Sequence, residues 1–359
     1  MHPIFDIPPA KTDLLQACER LKQESPQLRQ RDVAAALNCS EAELVDAQIH
    51  CRRLRLSTDF PRLIEQLHKL GHIMTLTRND AVVHERKGCY PATSVRPPVG
   101  LVIADDRRVD LRILLNHWHF GFAVAEARQD RILFSLQFYD AQGQAIQKIF
   151  LQPESHFDAY IELVTAFRHP DQSTPLEIAS AVDQPARKSD AQVDIQQLCQ
   201  DWADMTDVHQ FFGMLRKHEI SRQQAFRLVG ERWAQAFAPD RVQQLLEQAA
   251  ARGTPIMCFV GNRGNIQIHS GPVQRIKVLN QWLNVLDPEF NLHMDMDRIA
   301  YAWLVRKPTC DGIITSIELY LDNGDTAAQF FGVRQEGQPE NPEWRQLAES
   351  MLNPERVCA

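Results

Sequence analysis

Paired cysteines are missing from this sequence: its eight are scattered through 359 residues and never form a Cys-x-x-Cys motif. That spacing suits neither a zinc knuckle nor a disulfide scaffold, so reduced thiols in a reducing compartment are expected. Basic excess is missing too, since 39 Lys and Arg face 46 Asp and Glu for a net charge of −7. Nucleic-acid affinity rests largely on phosphate neutralisation, so no nucleic-acid partner is expected. An anionic ligand has to be met by a few placed cations instead of a global field. No run approaches the roughly 18 uncharged apolar residues of a membrane span. The opening Met1-His2-Pro3-Ile4-Phe5-Asp6 has no basic stretch leading into an apolar one, so neither membrane insertion nor a secretory signal is expected. Hydrolase, Walker, zincin and dinucleotide glycine signatures are absent as well. Gly-Asn-Arg-Gly at 261–264 is too short for a phosphate loop and reads as a turn between strands.

What is present is globular text, 44% hydrophobic and 24% charged, long enough for two domains at roughly 100–200 residues each. The chain also repeats itself. Ser135-Leu-Gln-Phe-Tyr-Asp-Ala-Gln-Gly143 reads against Ser316-Ile-Glu-Leu-Tyr-Leu-Asp-Asn-Gly324, two alternating strand patterns closed by turn residues, 316 − 135 = 181 positions apart. The same offset sets Asp110-Leu111-Arg112-Ile113 against Asn291-Leu292-His293-Met294; Val83-His84-Glu85 resembles Ile268-His269-Ser270 at a slightly larger one. Each copy begins with helical text, over 28–48 with a start at Ser40-Glu41-Ala42-Glu43, and from Ser221-Arg222-Gln223-Gln224 to about Phe237. The expected fold is α+β: two homologous repeats, 1–168 and 195–359, each a large antiparallel sheet with N-terminal helices. The Pro-, Ser- and Asp-rich stretch 169–194 reads as a linker.

Candidate chemistry concentrates in the second repeat. In Thr206-Asp207-Val208-His209-Gln210-Phe211-Phe212-Gly213, Thr206 reads as an N-cap and Asp207 as a first-turn acid. Val208, Phe211, Phe212 and Leu215 then fall on one helical stripe with His209 at its edge. Gly213, four residues on, leaves room for a bulky planar ligand beside the imidazole. On spacing alone, His209 reads as a helix-boundary histidine or as a ligand to a metal or haem. His218 is expected to face the other way, leaving His209 without a nearby substitute. His117-x-His119 offers a metal site only if it lies on a strand, and no third ligand is close in sequence. Arg222 at a helix start, Lys307 before the strand-ending Pro308 and Arg334 after the last strong strand stand where ligand-binding cations collect.

These segments together resemble the HemS/ChuS family of bacterial cytoplasmic haem-utilisation proteins, the hemin-degrading factors. The matching stretches are 206–212 (TDVHQFF), 221–227 (SRQQAFR), 259–271 (FVGNRGNIQIHSG), 306–309 (RKPT) and 336–340 (EGQPE). In the first half they are 77–79 (TRN), 109–112 (VDLR) and Asn116-His117-Trp118. The likeness runs in order through nearly the whole chain, duplication included.

The resemblance implies a concrete site. His209 ligates haem iron from the proximal side and Arg112 reaches over the distal face. Arg222, Lys307 and Arg334 meet the propionates, with Gln329 beside them. The ligand implied is haem b, iron protoporphyrin IX. One departure is Phe331, where relatives carry a tyrosine: it still packs on a macrocycle but loses a hydrogen bond worth about 1 kcal/mol. Because the counterpart of Arg112 is His293, one high-affinity haem per chain is expected. The implied function is cytoplasmic haem binding in haem uptake and iron acquisition, as carrier or buffer. The alternative is a haem-oxygenase-like enzyme that opens the ring and frees iron, using Arg112 and His209. The implied partners are a haem importer and a downstream haem oxygenase.

Overall fold

A computed structural model describes residues 2–6, 13–26, 28–48, 51–128, 131–180, 187–335 and 337–352. Residues 181–186 of the expected linker, Glu336 of the EGQPE motif and Cys358 lie outside the described residues. The chain divides into two compact units. Unit 1 comprises Met1–Arg78, His84–Val182 and Gly261–Gln267; unit 2 comprises Asn79–Val83, Asp183–Val260 and Ile268–Ala359. Each unit thus holds a short segment drawn from the other half of the sequence.

Unit 1 opens with three short helices, α1 (Asp13–Glu24), α2 (Gln30–Ala36) and α3 (Glu41–Asp46). A capping box of Ser40 and Glu43 starts α3, as the sequence suggested. Then come β1 (Arg52–Arg55), α4 (Phe60–Gln66), β2 (Gly71–Arg78), β3 (Val82–Cys89), β4 (Val99–Ile103), β5 (Asp110–Leu114), β6 (Phe120–Arg128), β7 (Arg131–Tyr139), β8 (Ala145–Ser155) and α5 (Phe157–Ala166). Strands run in the order β1-β6-β7-β8-β2-β3, with antiparallel registers such as Ala123 opposite Leu136. The β4–β5 hairpin pairs on with Asn265–Gln267, which sets Ile266 opposite Arg112. Leu63, Ile64, Tyr160 and Leu163 of α4 and α5 bury against Leu136, Phe138 and Ile149 of the sheet.

Unit 2 repeats the plan: α6 (Ile195–Ala203), α7 (Gln210–His218), α8 (Arg222–Leu228), β9 (Ala234–Phe237), α9 (Arg241–Arg252), β10 (Ile256–Gly261), β11 (Asn265–Gly271), β12 (Ile276–Leu279), β13 (Trp282–Leu286), β14 (Phe290–Asp295), β15 (Tyr301–Thr309), β16 (Gly312–Tyr320), β17 (Thr326–Gly332) and α10 (Pro342–Glu349). β15 and β16 begin and end 181 positions after β6 and β7. The turn glycines Gly143 and Gly324 both take positive φ, +72° and +87°, where a Cβ is disfavoured. The α+β architecture of two antiparallel-sheet repeats with leading helices is therefore observed.

In unit 2 the strands β10-β17-β16-β15-β9 form an antiparallel sheet. Alternation sends Leu304, Ile317 and Phe330 to one face, where α9 and α10 pack with Leu245, Leu246, Trp344 and Leu347. Trp303, Val305 and Tyr320 point to the other, under α6–α8 with Trp202, Phe211, Met214 and Phe226. Those helices cover the β15–β16 side. Met257 and Phe259 of β10 and Gln329 and Phe331 of β17, in register across the strands, stay half-exposed.

Three sequence expectations are corrected. The helix from Ser221 stops at Leu228 because Gly230 turns with φ +79°, and the text up to Phe237 becomes β9. Pro308 does not end its strand. Arg306 N donates to Trp233 O on the β9 side, and Pro308 presents its nitrogen to that same side, where β9 has already ended, so no ladder bond is lost. His117 and His119 lie on a 3-10 turn and the residue before β6, not on a strand. Among the described residues, no group of three or more His, Cys, Asp or Glu is placed to hold a metal ion. The seven described cysteines are free thiols.

Candidate functional site

Helix α7 starts at Gln210, later than the sequence implied, and His209 is its N-cap residue. Thr206 and Asp207 form the preceding turn. The Gln210 side chain accepts from the Thr206 and Asp207 amides at 2.8 and 3.3 Å. Asp207 Oδ1 accepts the His209 amide at 2.7 Å, a local turn typical of aspartate. The same oxygen lies 2.6 Å from His209 Nδ1. A carboxylate only accepts, so Nδ1 carries the hydrogen and the Nε2 lone pair faces outward on a side chain 90% exposed. The His209 amide and ring hold the Asp207 carboxyl below the usual carboxylate range. A charged carboxylate fixing the tautomer of an otherwise free imidazole is the arrangement metal-binding histidines use.

The helix beyond it differs from the expected stripe. Phe211, Met214, Leu215 and His218 face inward, whereas Phe212 is 64% exposed next to His209. Gly213 leaves open space on this side, with nothing within 4 Å of where a Cβ would stand. His218 turns away to Asp201, its Nε2 2.7 Å from Oδ2, and is buried.

Arg222, the first residue of α8, places its guanidinium over the Phe211 and Phe212 rings, 5.2 and 5.4 Å from their centroids. Its Nη1 donates to Glu318 Oε2 at 2.9 Å. Lys307 Nζ donates to Glu318 Oε1 at 2.6 Å and lies 4.6 Å from the Phe211 centroid. Ser316 Oγ and Tyr320 OH complete the shell of Glu318 at 3.0 and 2.6 Å. Burial drives the Glu318 carboxyl upward, but Lys307 and Arg222 outweigh it, and it sits far below its usual range. Burial also lowers Lys307, against the pull of Glu318. For Arg222 burial is outweighed by Glu318 and Tyr320, which hold the guanidinium charged.

The candidate cations thus differ in access. Lys307, read from sequence as a strand-end cation, is 4% exposed within β15 and faces Glu318. Arg222 keeps 23% of its side chain exposed. Arg334, two residues past β17, has a buried Nη1 with no hydrogen-bond acceptor, and its charge helps lower Asp207. Gln329 lies on the half-exposed strip, opposite Glu318 on one side and Phe259 on the other. Phe331 packs edge-on against Phe259, centroids 5.1 Å apart. An outward-facing imidazole nitrogen, an exposed aromatic, a half-exposed apolar strip, the partly exposed Arg222 and the buried, unpartnered Nη1 of Arg334 therefore all belong to unit 2. In unit 1, Arg112 projects from β5, partly exposed, and donates to the buried Asp110 and to Leu111 O. Sequence reasoning missed two carboxylates, Asp207 as a histidine partner and Glu318 as the hub of two cations.

Both repeats match a family model described as the haemin-degrading HemS.ChuX domain, over 38–167 and 219–351. The hemin transport protein HmuS of Yersinia pestis is 37% identical over 344 residues, spanning 95% of this chain and 97% of its own. The crystal structure of holo-PhuS, a heme-binding protein from Pseudomonas aeruginosa, superposes with a TM-score of 0.91 at 44% identity, covering 94% of this chain and 98% of that one. ChuS, described as an E. coli heme oxygenase, gives a TM-score of 0.85 at 35% identity over 95% and 100% of the two chains.

Proposed function

Since the chain belongs to the haemin-degrading HemS/ChuX family, we propose that it binds haem b in the cytoplasm for haem uptake and iron acquisition, with His209 Nε2 as the axial ligand. The observation that carries this reading is the Asp207–His209 pair, a lone pair aimed outward beside the exposed Phe212. Haem needs an axial ligand, apolar contact for its ring and cations for two carboxylates. Phe212 and the strip of Met257, Phe259 and Phe331 supply the contact. Arg222 and the orphaned Nη1 of Arg334 supply the cations, with Gln329 as a polar neighbour and Lys307 set behind Arg222. Arg112 is assigned to the distal face. A haem importer would load the protein and a downstream haem oxygenase would unload it.

The test is a titration of the purified chain with ferric haem, followed at the Soret band. One haem per chain is expected, and replacing His209 with Ala should change both affinity and ligand spectrum. An unchanged spectrum would mean the wrong ligand, and two equivalent sites would overturn the stoichiometry.

A second reading is favoured by the 35% identity to a protein described as a heme oxygenase. In it the same pocket degrades haem, and Arg112 orients the distal chemistry. Aerobic incubation with a physiological reductase and catalase separates the two readings. A Soret band that persists indefinitely eliminates degradation. Loss of the band that is unaffected by Arg112→Ala eliminates that residue's part in it.

A further inference from the structure

Between α1–α3 and the sheet of unit 1 lies a cavity of about 460 Å³, within the roughly 300–1,000 Å³ of small-molecule sites. Two residues on its wall account for the room. Val33 and Val45 stand where Met214 and Phe226, 181 positions on, fill the core of unit 2. Native interiors leave few voids larger than a water molecule, so a hollow of this size calls for an occupant.

The lining describes that occupant. Leu28, Val33, Leu44, Val45 and Val124 make the body of the cavity aliphatic, and no aromatic ring lines it. Lys22, Arg29 and Arg128 also line it, against a single acid, Glu126, which Arg128 pairs at 2.8 Å. Arg29 and Arg128 are exposed, so the positive charge faces solvent and favours the entry of an anion. At the sheet, Gln137 is 5% exposed; its amide donates one hydrogen to Ser135 Oγ at 3.0 Å and has a second to offer. Opposite Gln137 in the β7–β8 register, and so on the same face, is Lys148. Lys148 is 9% exposed, its Nζ lies 5.8 Å from the centroid of the Tyr139 ring, and no described residue accepts a hydrogen bond from it. Glu41, the acid that pulls on it most, is held by Arg78. A buried ammonium without an acceptor is costly and marks a place for an anion. Burial lowers the Lys148 pKa against the pull of Glu41, and a carboxylate beside it restores the charge. Unit 2 carries Gln329 at the matching position, so this cation belongs to the hollow copy alone.

Haem does not suit the cavity. No histidine or tyrosine lines it. Burial keeps its two thiols protonated, raising Cys18 and pushing Cys51 up to about 12, whereas a metal takes the thiolate.

We propose that this cavity is a second ligand site, for a straight-chain aliphatic monocarboxylate: the tail fills the space that Val33 and Val45 leave, and the carboxylate meets Lys148 and the second amide hydrogen of Gln137 at the sheet. One inner cation matches one carboxylate, and aliphatic walls match an aliphatic tail. The site stands apart from the haem reading and does not depend on it.

The test is calorimetric titration of the full chain with decanoate, below its micelle concentration, with and without one equivalent of ferric haem. One decanoate per chain is expected in both. Decanol, the same tail without the charge, should bind about tenfold more weakly, as loss of a charge-assisted bond at a buried ammonium predicts. Lys148→Gln, which installs the residue unit 2 carries at that position, should erase the preference for acid over alcohol. Val45→Phe should remove binding of both while leaving the haem Soret titration in place. Binding that survives Val45→Phe puts the ligand elsewhere and overturns the proposal, as does a Lys148→Gln variant that keeps the preference, or a wild type that takes up no decanoate. Should Lys148→Gln not fold, the wild-type contrast decides, and equal binding of acid and alcohol defeats the proposal. Decanoate displaced by a second equivalent of haem makes the cavity a haem site and overturns the choice of ligand. A chain that binds decanoate but no haem defeats the function proposed above and leaves this inference standing.

Discussion

The two units share a framework and differ in what fills it. Above β15 and β16, Phe226 packs against Trp202, Phe211, Trp303 and Tyr320 with ring centroids 5.6–6.1 Å apart. The counterpart of Phe226 in unit 1 is Val45, and there a cavity of about 460 Å³ opens between α1–α3 and the sheet, lined by Cys18, Val33, Leu44, Val45, Val124 and Gln137 among others. At the matching helix start, His209 caps α7 whereas Arg29 caps α2. Duplication preserved strand length, capping boxes and turn glycines, while the aromatic cluster around Phe226 and the side chains of His209 and Arg222 belong to unit 2. A rigid aromatic base holds α7 and α8, and with them His209 and Arg222, at fixed positions, which is what a preformed binding surface needs.

The largest expected effect tests that base. Phe226→Ala should cost about 3–5 kcal/mol of stability, the usual loss for a core phenylalanine. Chemical denaturation should place the loss in unit 2, and haem binding should weaken with it. A cost under about 1 kcal/mol would mean that the aromatic cluster is not what separates the two units.

Next comes the ligand itself. His209→Ala should weaken haem binding about a hundredfold, or ~2.7 kcal/mol. The converse change in unit 1, Arg29→His, should create no second site, because it lacks both an aspartate partner and the cations. A second bound haem in Arg29→His would erase the distinction between the copies.

Asp207→Asn should have a smaller effect, about tenfold in affinity and a changed ferric spectrum, since the partner of a metal-bound histidine typically contributes 10–100-fold. The sign of its pH dependence follows from the lowered carboxyl. Its contribution is complete above the ordinary aspartate value near pH ~3.9 and fades only as pH falls through the lower folded value. The ratio of wild-type to Asp207→Asn affinity should therefore stay flat between about pH 5 and 8, where the reference carboxyl is ionised as well. A ratio that changes across that range would show another group titrating at the ligand.

Much of this was legible in the sequence. Alternating strands ending in Gly143 and Gly324, and the capping boxes at Ser40 and Ser221, are local patterns, so the duplication and the α+β class could be read directly. His209 stood out through its motif. Its aspartate did not, because a helix starting at Thr206 and one starting at Gln210 share the same letters, and only the side-chain bond from Gln210 back over the turn decides between them. Glu318 was visible merely as one letter of the repeat. Its meaning depends on Arg222, 96 residues away, and Lys307, 11 away, a juxtaposition made by folding. The segments 79–83 and 261–267, each counted with the opposite unit, escaped notice for the same reason, since pairings such as Ile266 opposite Arg112 have no local signature.

The smallest expected effect sharpens the contrast between filled and hollow copies. Val45→Phe places in unit 1 the residue unit 2 carries at the same position. Val45 is 1% exposed and lines the cavity with Leu44 and Val124, so the added ring has space that a close-packed core would deny it. Cavity-filling substitutions commonly add about 0.5–2 kcal/mol, whereas forcing extra atoms into a packed site costs about 1–3 kcal/mol. A rise of a few degrees in melting temperature, with haem affinity unchanged, is expected because Val45 belongs to unit 1 and the proposed ligand His209 and its neighbour Arg222 to unit 2. A fall would mean that α1–α3 already close onto the sheet in solution, and the difference between the units would then rest on charge alone.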